Sequence, residues 1–96
     1  MRRKNTQRLA EVLDEVLKNQ QLRGKLNETA AIRLWPEVVG KALAEHTDNL
    51  YFKHSVLHVH VKSAIIRNEL MLIRPQLLKR LNEKIGRQAV KNIMLH

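Results

Sequence analysis

Leu9, Val12, Leu13, Val16 and Leu17 recur at steps of three and four, so they share one face of a helix. Thr6 suits its N-cap, and the pattern ends near Asn19, ahead of Gln20-Gln21-Leu22-Arg23-Gly24. A second helix is expected from about Asn27 to Trp35, with Glu28 favourable beside its N-terminus. Pro36 disfavours helical dihedrals at Trp35, which predicts a break there. Pro36 then fits the first turn of a short third helix reaching Ala44.

The period changes after Ala44. Thr47 to Phe52 and Val56 to Lys62 read as two strands joined through Lys53-His54-Ser55, a hairpin. Leu57, Val59 and Val61 alternate with Val56, His58, His60 and Lys62, so the aliphatic set faces a core and the other set faces away. Ser63 can cap a long helical region. Within it Ile66, Leu70, Ile73, Leu77, Leu81 and Ile85 form one stripe to be buried. Pro75 cannot donate to the carbonyl of Met71, so a kink or break is expected near Arg74. Gly86 is a suitable stop, and Ala89 to Leu95 reads as a third strand.

The order is ααα-ββ-α(α)-β. It predicts an α+β fold, a small three-stranded sheet with helices packed on one face. Ninety-six residues fit a single domain, here 1–96 with a short basic tail at 1–5. Aromatic residues are limited to Trp35, Tyr51 and Phe52, so leucine, isoleucine and valine must fill the core. The longest apolar run, Leu70 to Ile73, is far short of the roughly 20 residues of a membrane span. With no apolar signal segment after the basic start and no cysteine, a soluble cytoplasmic protein is expected.

Eighteen Lys and Arg face nine Asp and Glu, a net charge of +9. The excess is uneven. Residues 1–25 hold seven basic and three acidic side chains, residues 26–61 three and four, and residues 62–91 eight and two. A solvated helix face mixes signs more evenly, so the skew points to a polyanionic partner. Candidate phosphate contacts are Arg2, Arg3, Lys4, Lys62, Arg67, Arg74, Lys79, Arg80, Lys84, Arg87 and Lys91. Few aromatics are available for base stacking, with Tyr51 the one expected to point outward, so base-specific reading is expected to be weak.

Other chemistry finds little support. His58 and His60 share a strand face, but zinc needs three or four ligands and Lys62 is next on that face. No metal site or cofactor is expected. Ser63 is explained by capping, Ser55 lies in a turn, and no glycine-rich phosphate loop exists. An enzyme is therefore not expected. Trp35 beside Pro36 reads as core, or as an anchor for a protein partner.

Several stretches resemble one family. Leu34-Trp35-Pro36-Glu37-Val38-Val39-Gly40 is followed by Leu43-Ala44-Glu45-His46-Thr47 and by Leu57-His58-Val59-His60-Val61. Asn68-Glu69-Leu70 and Leu77-Leu78-Lys79-Arg80-Leu81-Asn82 complete the set. In that order, over about residues 8–95, they resemble the bacterial DciA-like family. His54-Ser55 stands where the family often has Asp-Gly, and Ile66 where it often has tryptophan. The resemblance implies a KH-like domain that acts with the replicative DNA helicase and binds DNA, with Trp35 in the helicase contact. No Gly-x-x-Gly loop is present, so the usual KH backbone clamp cannot operate. The reading is a non-enzymatic DNA-binding accessory protein of replication. Alternatives are a KH-like RNA-binding module, for example one on the ribosome, or a domain that only contacts proteins.

Overall fold

The computed structural model describes the backbone of residues 2–96 and the side chains from Thr6 onward. The first element, α1, runs unbroken from Arg2 to Val39. Its 38 residues span about 57 Å at 1.5 Å each. They set the elongated shape of the molecule, 66 × 21 × 18 Å. The radius of gyration is 18.0 Å, against about 12–13 Å for a compact chain of this length.

The first two expected helices are therefore one, and the chain stays helical past Pro36. Gly24 costs about 1 kcal/mol against alanine, but Lys18, Gln20, Gln21, Leu22, Arg23, Lys25 and Leu26 are good helix formers. Continuity outweighs one weak residue. Pro36 removes one N–H donor, yet Trp35, Val38 and Val39 around it are buried and hold the last turn. Gly40 closes that turn, its N–H donating to the Pro36 carbonyl at 3.0 Å. Gly40 sits at φ 88° and ψ 150°, a region that side chains essentially forbid, and there the helix stops. The four-residue α2, Lys41–Ala44, follows.

Strands β1 (Thr47–Lys53), β2 (Val56–Val61) and β3 (Asn92–Leu95) form a sheet in that order. β1 and β2 are antiparallel, and β2 and β3 are parallel. The hairpin turns at His54 (φ 53°) and Ser55 (φ 63°), both left-handed. β1 carries a bulge. Asp48 faces His60 and Tyr51 faces His58, so three steps on β1 match two on β2. The extra residue is Asn49, at φ 48°.

Between β2 and β3 lie α3 (Ala64–Leu72) and α4 (Arg74–Ile85). The Ser63 hydroxyl caps α3 by accepting from the Ile66 N–H. The expected break falls at Ile73, with Pro75 in the first turn of α4. This break takes Ile73 out of the apolar stripe and leaves it exposed, while Leu70, Leu77 and Leu81 are buried. Gly86, at φ 91°, ends α4 in the left-handed region as expected. β3 starts later than the sequence suggested because the chain before it is held differently. The buried Asn82 amide donates to the Val90 carbonyl and accepts from the Val90 N–H, both at 2.9 Å.

The core joins Ala31, Trp35 and Val38 of α1 to Leu57, Val59 and Val61 of β2, with Leu70, Leu77, Leu81 and Ile93. Helices cover one face of the sheet, as the α+β reading expects, and the arrangement is compatible with a KH-like domain. Among the described residues no helix is long and apolar enough to cross a membrane.

Candidate nucleic-acid interface

α4 buries Leu77, Leu81 and Asn82, which turns Gln76, Lys79, Arg80, Glu83 and Lys84 outward. Lys79, Arg80 and Lys84 thus share one exposed helix face. Two of them also bind α1. The Arg80 guanidinium donates to the Val38 carbonyl at 3.3 Å, and the Lys84 ammonium lies 3.5 Å from a Glu37 carboxylate oxygen. Glu83 and Glu37 line the same hollow, so its field is weaker than the sequence count implied.

The other predicted cations disperse. Arg87 and Lys91 are exposed on the segment leading from α4 to β3. Arg74 opens α4 half-buried. Arg67 is half-buried as well, with one guanidinium nitrogen donating to the Val61 carbonyl at 3.3 Å. Its Nε is buried without a hydrogen-bond partner among the described residues. A guanidinium so engaged has little left for a phosphate. Lys62 emerges on the sheet face away from the helices, 3.9 Å from Asp48. The side chains of Arg2, Arg3 and Lys4 lie outside the described residues.

Trp35 is 1% exposed. Its indole N–H donates to the Thr47 hydroxyl at 3.1 Å, and that hydroxyl donates to the Ala44 carbonyl at 2.9 Å. Packed this way, the ring offers no surface to a partner and instead ties α1 to the start of β1.

Two features were legible in the sequence only in part. The first is an exposed apolar stripe. Leu9, Val12, Leu13, Val16 and Leu17 were expected on one helix face, and that face is uncovered, with Leu9 61% exposed. It is in phase with the buried part of the same helix. Leu13 and Ala31, like Leu17 and Trp35, are 18 residues or five turns apart. The second is on the open sheet face. Because the bulge at Asn49 absorbs one residue, Asp48 and Tyr51 both point away from the core. The Tyr51 ring stacks on His58 at a centroid distance of 4.7 Å and 2° between planes. The His96 ring lies beside that of His58, edge to edge and nearly parallel, with centroids 5.1 Å apart, planes at 8°, and His58 Nδ1 and His96 Nε2 2.9 Å apart. His60 Nδ1 lies 2.7 Å from the Asp48 carboxylate. Among the described residues no three His, Cys, Asp or Glu side chains gather to hold a metal ion.

A family model described as Dna[CI] antecedent, DciA matches residues 8–95. The chain belongs to the DciA family. Membership ties it to loading of the replicative helicase in DNA replication. No curated protein matches it. In this DciA chain the residues that carried the resemblance are largely scaffold. Trp35 and Thr47 bond each other, Gly40 supplies the turn, and the His46 carbonyl accepts from the Lys62 N–H at 2.8 Å. Asn82 clamps the approach to β3.

Proposed function

We propose that this DciA-family chain is a non-enzymatic cytoplasmic accessory protein that contacts the replicative helicase and holds DNA without sequence preference. The observation that carries the DNA half is the charge of residues 62–91, eight basic against two acidic. Most of that charge is on exposed positions. Lys79, Arg80 and Lys84 share the outer face of α4, and Arg87 and Lys91 continue from it. Phosphate contact asks for cations spread over a surface and no fine geometry.

Lys79 and Arg87 are the cleanest probes, because Arg80 and Lys84 also tie α4 to α1. Lys79→Glu with Arg87→Glu should weaken DNA binding at least tenfold near 50 mM salt. It should also reduce the slope of log affinity against log salt by about two. Binding that ignores salt, or a double variant equal to the parent, would sink the DNA half of the reading.

With Trp35 buried, the protein contact belongs on the exposed stripe of α1. Residues 1–25 carry a net +4, seven basic less three acidic. A second copy of the same helix would meet like charge, so the stripe fits an apolar helicase surface flanked by carboxylates. Leu13→Glu with Val16→Glu should abolish helicase capture at micromolar concentration without shifting the melting temperature, since neither side chain reaches the core. Undiminished capture by that variant removes the stripe from the contact.

A further inference from the structure

The open face of the sheet holds an ordered ring stack, apart from the basic helix α4. β1 and β3 are both edge strands, and β2 lies between them. Tyr51 stands on β1, His58 on β2 and His96 just past β3: Tyr51 and His58 stack face to face, and His96 meets the edge of His58 through the nitrogen pair. Tyr51 and His58 each give one ring face to the other. The other face of Tyr51 is turned toward the sheet edge at β1. Tyr51 is 50% exposed.

We infer that this stack binds unpaired nucleobases, a base continuing the ladder on the outer face of Tyr51. The inference rests on the DNA-binding reading and adds a second, base-dependent surface to it. Four features support it. The rings are already parallel, so an added base meets a surface that needs no rearrangement. Tyr51 points outward only because of the bulge at Asn49, a device that re-aims side chains. Lys53, two residues along β1 on the same face, is exposed and supplies a cation for the adjoining phosphate. Lys62 supplies another at the far end, partly offset by Asp48. Finally, the same face carries His60 and Met94, with no helix over it among the described residues.

A ladder of rings also steadies a sheet through cross-strand pairing. The two roles differ in what they ask of the ligand. Pairing within the sheet is indifferent to bases, whereas stacking needs a free base face. A duplex hides those faces, so the site selects single strands. Stacking of one base on an aromatic side chain corresponds to about 5- to 150-fold in affinity.

The test compares two probes of equal length and charge at one salt concentration. One is a twelve-residue oligothymidylate, the other an abasic phosphodiester strand. The parent should bind the oligothymidylate at least fivefold more tightly. Tyr51→Thr, which keeps a strand-forming residue at the edge, should erase that difference. Tyr51→Phe, which keeps the ring, should retain it and guards against a variant that merely misfolds. Equal affinity of the parent for both strands overturns the inference while leaving the basic face of α4 in place. A base preference that survives Tyr51→Thr also overturns it, since the bases are then read elsewhere. Binding to neither strand overturns both this inference and the DNA reading beneath it.

Discussion

The tightest local compromise is the hairpin turn. A two-residue turn of this hand needs positive φ at both central positions, which Asn-Gly accepts with little cost. His54 and Ser55 adopt it at φ 53° and 63°. Each side chain pays about 1–2 kcal/mol for that conformation. His54→Asn with Ser55→Gly should therefore raise stability by about 1–2 kcal/mol, read as a higher urea midpoint at unchanged slope. An unchanged or lower midpoint means the turn has another geometry. The departure from Asp-Gly was legible in the sequence; its left-handed geometry was not. The same divide holds for Trp35. Composition marked it as core or anchor, and only the bond to Thr47, twelve residues away, decides for core. Among the cations, each sign was legible but not each engagement. That Arg67 and Arg80 donate to backbone carbonyls follows from tertiary contact, which no spacing reveals.

At the level of elements, α1 is two structures in one. From Ala31 onward its apolar face lies on the core; from Leu9 to Leu26 its large apolar side chains are all exposed. The outer part has no tertiary packing to hold it, so it opens locally, independently of the rest. Gly24 lies in this part, and a methyl group there meets nothing within 4 Å. Gly24→Ala should stabilise the helix by about 0.5–1 kcal/mol. Amide exchange over residues 9–26 should slow by about two- to fivefold while the global melting temperature barely moves. A shift of the global transition instead would show that this segment packs on the body. The strand alternation and the break at Ile73 were readable because they follow from periods of two and of 3.6 and from Pro75. The helix boundary near Gly24 was not. Propensity there is nearly balanced, and one glycine yields to the helix formers around it. Nor was the bulge in β1, since one inserted residue leaves no mark on the hydrophobic pattern, yet it reverses which side chains face out.

The whole molecule is longer than its core. Small-angle scattering of the monomer should give a radius of gyration near 18 Å. About 12–13 Å would mean that α1 folds back at Gly24 to cover its own stripe. Between these two shapes the stripe is either offered or hidden, so this measurement also bears on the proposed helicase contact. The straight α1 does more than display a surface. From Leu9 to Trp35 is 26 residues, about 39 Å of rod at 1.5 Å each. A flexible segment of that length would wander through a root-mean-square distance of about 25–30 Å with no preferred direction. The rod instead holds whatever sits on the stripe at one distance and one bearing from the basic face of α4. Each residue added to or removed from it swings the stripe by 100° about the axis. The helix is therefore a gauge block between the stripe and the basic face of α4, and its length in residues sets their relative bearing.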